Sequence, residues 1–219
     1  MVKFIFTSMA LTIFGLGIAM QPQIIIWDND GTVMGSKNPN DITSSAKVIL
    51  PNVADVMQRS GINIICSGTK TAESELQNWD PVKIIEQFNV LMEKLPVSLA
   101  TFSPAIGGVE CWVMIKHATG NIEIRKAHED PRYQHLIGHF KKPDIGMLVV
   151  IRDLVTELFA QAIDASTTVF IGDAWQDQQA AQNFGIPFVD AHKIHTMALD
   201  TKLMTLVNYN IYTHDFSSK

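Results

Sequence analysis

Ile24-Ile25-Ile26-Trp27-Asp28-Asn29-Asp30-Gly31-Thr32 is the stretch that decides the fold. Four large apolar residues without polar alternation read as a strand buried on both faces, as central strands of parallel α/β sheets are. Asp28 and Asp30 follow directly, and Gly31 lets the backbone turn sharply. Open α/β sheets build their sites at the carboxyl ends of strands, so two acids separated by one residue can face one crevice there. An Asp-Gly turn beside a second Asp is also ordinary turn chemistry. The pentapeptide therefore needs partners elsewhere in the chain before it means a site.

Three later segments supply them. Gly61-Ile62-Asn63-Ile64-Ile65-Cys66-Ser67-Gly68 is a second apolar, β-branched run, ending in a hydroxyl and a glycine. Lys141-Lys142-Pro143-Asp144-Ile145-Gly146-Met147 is a basic loop ahead of a helical pattern. Thr167-Thr168-Val169-Phe170-Ile171 reads as a strand and runs into Gly172-Asp173-Ala174-Trp175-Gln176-Asp177. Taken singly, each has a plain reading: Ser67 as a turn or cap residue, Lys142 as a solvated charge, Asp173 or Asp177 as a helix cap. Taken together, acid, hydroxyl, cation and acid arrive in order, each at a strand end or a helix start.

These four segments resemble the four motifs of the haloacid dehalogenase (HAD) superfamily of phosphatases and phosphotransferases, from about Ile24 to Val189. The resemblance implies that Asp28 is a nucleophile and Asp30 a general acid and base. Ser67 would bind a phosphoryl oxygen; Gly68 beside it, and Thr32 in the turn after Asp30, where backbone N–H groups can receive an anion, are further candidate substrate-binding residues. Lys142 would neutralise nucleophile and phosphate, and Asp173 would hold a metal with Asp177 supporting it. Asn29 and Trp27 depart from the family pattern without removing a reactive group.

The chemistry of the residues agrees. One carboxylate can attack phosphorus and form an aspartyl-phosphate, while a second protonates the leaving oxygen and later takes a proton from water. Mg²⁺ prefers hard oxygens in an octahedron and keeps several waters, so Asp28, Asp173 and the carbonyl of Asp30 make a suitable set. The expected activity is magnesium-dependent phosphomonoester hydrolysis. Transfer to an acceptor other than water and a non-catalytic binding module stand as alternatives.

The expected fold is α/β, a doubly wound parallel sheet of the Rossmann type with a small β-hairpin insertion. With 219 residues and 47% hydrophobic content the chain can bury a sizeable core, and residues 21–219 are expected to form one domain. Between the motifs, Val33 to Ser45 reads as polar and turn-rich, Ser45 to Ser60 and Thr71 to Lys94 as helices, the latter possibly broken at Pro81, and Val97 to Phe102 as a strand. Two cysteines, Cys66 and Cys111, provide no disulfide framework.

Within residues 1–20, Phe4 to Met20 is an apolar run preceded by one lysine, Lys3, with small residues Gly17 and Ala19 before Met20. It reads as a signal peptide, as a mis-assigned start ahead of Met20, or as a retained anchor. The protein would be exported or periplasmic in the first case and cytoplasmic in the second, with no stable membrane partner in either.

Glu110 to Lys116 and Asn121 to Lys126 flank His117-Ala118-Thr119-Gly120, a hairpin signal. Residues 107–140 are therefore a candidate lid over the site, or a hairpin that only extends the sheet. The segment carries four of the seven histidines, His117, His128, His135 and His139, with His135 and His139 four apart as on one helix face. It also carries Arg125 and Lys126, which a lid would bring to a phosphorylated substrate. That substrate could be a small metabolite or a phosphoprotein, phosphotyrosine included. Polynucleotide 3′-phosphates are disfavoured by a net charge of −5 and a pI near 5.8.

Overall fold

The computed structural model describes residues 24–36, 47–68, 81–103 and 106–196. The amino-terminal apolar segment, the polar stretch after Ser36 and the first half of the helix expected from Thr71 lie outside them. Among the described residues no helix is long and apolar enough to cross a membrane.

A seven-stranded sheet forms the centre, in the order β7 (Ile122–Lys126), β6 (Trp112–Lys116), β5 (Val97–Ser103), β4 (Ile62–Gly68), β1 (Ile24–Trp27), β8 (Thr168–Gly172), β9 (Phe188–Asp190). Strands β1, β4, β5, β8 and β9 run parallel. β1 lies between β4 and β8, so the chain builds outward on one side through β4 and β5, then returns to build through β8 and β9. The carboxyl ends of β1 and β8 thus border the point where the strand order reverses, where such sheets hold ligands.

Side chains alternate along β1, and each face has its own core. Ile25 and Trp27 pack with Val53 and Met57 of α1 (Val53–Arg59), Phe88, Leu91 and Met92 of α2 (Pro81–Lys94) and Ile194 of α5 (Ala191–Thr196). Ile24 and Ile26 pack with Leu148, Ile151 and Leu154 of α3 (Gly146–Phe159) and Ala180 and Ala181 of α4 (Trp175–Phe184). Helices on both faces explain why β1 is apolar throughout, and each such side chain buried contributes about 1.5–3 kcal/mol.

Trp27 carries a polar atom into this core, and the sequence provides for it. Its indole N–H donates to Asn63 Oδ1 at 3.1 Å, Ser60 Oγ donates to the same oxygen, and the Asn63 amide donates to the carbonyls of Met57 and Pro96. The unusual tryptophan before Asp28 is thus a satisfied core residue.

One expectation is corrected, and one open alternative is decided. The helix expected from Ser45 begins only at Val53; Lys47–Ile49 is instead β3, antiparallel to β2 (Met34–Ser36) in a separate two-stranded sheet. Pro51 disfavours helical geometry at Leu50, and Asn52 takes a left-handed φ of 65° before the helix starts. Secondly, the hairpin β6 (Trp112–Lys116) and β7 (Ile122–Lys126) is an antiparallel continuation of the sheet beside β5. Trp112 pairs with Phe102 and Ile115 with Leu99, so the strand runs away from the carboxyl edge and its turn lies at the opposite end of the sheet from Asp28.

Candidate active site

Four chain segments converge at the carboxyl edge of the sheet on a cleft of about 130 Å³. Asp28, Asp30, Gly68, Lys141, Lys142, Asp173, Ala174, Gln176 and Asp177 line it.

Asp28 is fixed by the sheet, its N–H donating to the Ile171 carbonyl at 2.8 Å. The chain then folds back on itself: the Asn29 carbonyl accepts from the N–H groups of Val33 and Met34, both at 2.9 Å. Gly31 sits in this turn at φ +83°, and a Cβ there would run into the Asp173 carboxylate. Glycine is required twice, by conformation and by the close approach of β8. Thr32 is fully buried and its hydroxyl donates to Asp28 Oδ2 at 3.4 Å. Its carbonyl accepts from His195 Nε2 at 2.8 Å, which ties α5 to the turn and requires that Nε2 carry the proton.

On the neighbouring strand, Asp173 and Asp177 bracket the start of α4. The Ala174 N–H donates to Asp177 Oδ2 at 3.0 Å, and the Asp177 N–H donates to the Ala174 carbonyl at 3.0 Å, so Asp177 does cap the helix. Capping uses one oxygen and leaves the other for the cleft. Gly172 makes room, because a Cβ there would overlap the Asp177 side chain.

Lys142 joins the two halves. Its Nζ lies 2.5 Å from Asp28 Oδ1, 2.5 Å from Asp177 Oδ1 and 3.0 Å from the Cys66 carbonyl. Three acceptors match the three protons of an ammonium group. Burial pulls the Lys142 ammonium downward, but Asp28 and then Asp177 outweigh it and hold Lys142 above its usual range. Burial also pushes the Asp28 carboxyl up to about 6 against the pull of Lys142, with Asp177 and Asp173 adding to the rise.

Negative charge at this edge exceeds what the lysines supply. Four carboxylates face two ammonium groups across the cleft, a deficit that one divalent cation would cancel. Oxygens of Asp28, Asp173 and Asp177 lie within 4.8 Å of one another, and Asp173 Oδ1 is buried without a hydrogen-bond partner among the described residues. Hard carboxylate oxygens, one of them unsatisfied, fit a hard cation. Asp30 lines the cleft but stands outside this trio.

Of the remaining expected site residues, Gly68 lines the cleft and the others are not among its lining residues. At the end of β4 the cleft wall is Gly68, with Ser67 buried one residue behind it, and Thr32 meets Asp28 rather than the cleft. Arg125 binds Glu123 at 2.6 Å and Glu157 at 3.3 Å, and Lys126 binds Glu129 at 2.8 Å on the outermost strand. Neither faces the cleft, because the hairpin that carries them extends the sheet. His135 belongs to a short 3-10 turn, Pro131–Leu136, while His139 lies beyond it and meets Asp144 at 3.0 Å, so they share no helix face. Lys141 and Gln176 were not singled out by sequence, although each adjoins a residue that was.

The chain matches no protein-family model, and no curated protein matches it.

Proposed function

We propose that this chain is a magnesium-dependent phosphomonoester hydrolase of the haloacid dehalogenase type, with Asp28 as nucleophile. The observation that carries the reading is the convergence of Asp28, Asp30, Lys142, Asp173 and Asp177 on one cleft at the strand-order reversal. Structural acids at helix starts need no buried lysine shared between two strands' acids, and Lys142 is shared between Asp28 and Asp177.

Asp28, Asp173 and Asp177 would hold the cation, with the Asp30 carbonyl as a further oxygen ligand. Bound there, Mg²⁺ would supply positive charge to a phosphoryl oxygen. Asp28 attacks phosphorus, the ester P–O bond breaks, and Asp30 donates its proton to the departing alkoxide. Water then attacks the aspartyl-phosphate, Asp30 takes up its proton, and the bond from Asp28 to phosphorus breaks to release phosphate. Lys142 keeps Asp28 ionised and oriented, and its charge is preorganised for the phosphoryl group.

Hydrolysis of p-nitrophenyl phosphate by the purified protein, with Mg²⁺ and with EDTA, tests this. Turnover that needs the metal, vanishes in Asp28→Asn and falls roughly 10²–10⁴-fold in Asp30→Asn is expected. Equal turnover by wild type and Asp28→Asn would overturn it.

A further inference from the structure

Lys141 stands at the mouth of the cleft with its charge unspent. The other cations near its segment are taken: Arg125, Lys126 and Arg132 each bind an acid of the surface around β7 and α3, and Lys142 is buried between Asp28 and Asp177. Lys141 makes no ion pair or hydrogen bond from its side chain among the described residues, although four carboxylates line the same cleft. Its backbone, by contrast, is fixed. The Lys141 carbonyl accepts from the Asp144 N–H at 3.0 Å, and the preceding Phe140 N–H donates to the Gly108 carbonyl at 3.1 Å. Gly108, at φ +64°, packs so closely on the Lys141 amide that a Cβ would collide with it. A fixed backbone with an exposed, unpaired ammonium keeps one positive charge within reach of whatever enters.

Position decides what Lys141 meets. Lys141 and Gln176 line the same cleft as Asp28, so the remainder of an ester whose phosphoryl group lies against Asp28 passes within their reach. A free ammonium there recognises an anion by charge-assisted hydrogen bonds.

Building on the phosphatase reading, we propose that the substrates are phosphomonoesters carrying a second anionic group close to the scissile phosphate, and that Lys141 binds that second group. Two pairs of probes isolate the added charge: ethyl phosphate against 2-phosphoglycolate, and phenyl phosphate against 4-carboxyphenyl phosphate. Wild type is expected to prefer the carboxylated member of at least one pair in kcat/KM. Lys141→Ala is expected to reduce that preference about fivefold to tenfold, chiefly by raising KM for the carboxylated ester, and Lys141→Arg to restore most of it. Lys126→Ala, on the outermost strand, serves as the control that keeps the preference. A wild type without preference in either pair, or a preference that persists in Lys141→Ala, would overturn the inference, while metal-dependent turnover of ethyl or phenyl phosphate would leave the phosphatase reading standing. Absence of metal-dependent turnover with every ester would remove that reading, and this inference with it.

Discussion

Gly31 and Lys142 show how much of the site depends on single side chains. Gly31 is the point where the turn after β1 touches the Asp173 carboxylate. Gly31→Ala forces a left-handed conformation on alanine, costing about 1–2 kcal/mol, and displaces Asp173. We expect a folded protein whose melting temperature no longer rises with Mg²⁺, checked by thermal scans with and without the ion. Lys142→Met keeps the length of the side chain and removes the charge, leaving Asp28 and Asp177 buried without their shared cation. Denaturant unfolding in EDTA should show a loss of about 3–5 kcal/mol, and added Mg²⁺ should recover more stability in this variant than in wild type. An unchanged unfolding midpoint would mean that the pairing is not what holds these acids in place. Both residues were visible in the sequence, Gly31 as turn chemistry and Lys142 as a basic loop. The contact between Gly31 and Asp173 was not, because 142 positions of chain separate them and only the β1–β8 pairing brings them together.

Elements were legible where local pattern and long-range packing agree. β1, β4, β5 and β8 lie close to where apolar runs place them, because strands buried on both faces leave an unbroken apolar signature. The hairpin was legible as a hairpin, but its docking was not: the same alternation serves a lid or an edge, and pairing with β5 decides it. That docking also removed Arg125 and Lys126 from the site, where glutamates satisfy them instead. The helix expected from Ser45 failed at Pro51, where a local backbone rule overrides an apolar period. At this scale the two cysteines give a test of burial. Cys66 lies within the inner strand β4 and Cys111 immediately precedes β6, both fully buried. Burial pushes the Cys66 thiol up to about 12 and the Cys111 thiol higher still, whereas an exposed cysteine ionises near 8.5. Native protein at pH 8 should therefore react with neither thiol in a DTNB titration, and unfolded protein with both. Rapid reaction of one thiol in the folded state would contradict the packing around it.

Over the whole molecule, the sheet order turns two local motifs into one site. The strand order reverses at β1, so the acids after β1 and β8 face each other although the chain visits β4 to β7 between them. A divalent cation held by the proposed trio of Asp28, Asp173 and Asp177 in the native state, and not by the unfolded chain, would stabilise the fold by mass action, about 2.7 kcal/mol at a concentration a hundred times Kd. Mg²⁺ should raise the melting temperature of wild type and leave that of Asp173→Asn nearly unchanged, and equal shifts in the two would place the ion elsewhere.

The measurement closest to the central claim is borohydride trapping of the phosphorylated enzyme during turnover, followed by peptide mass spectrometry. An aspartyl-phosphate reduced in this way leaves homoserine where the aspartate stood. That conversion is expected at Asp28 alone, only when Mg²⁺ and a phosphomonoester are both present. Steady turnover with Asp28 unmodified, or conversion at another carboxylate, would contradict it.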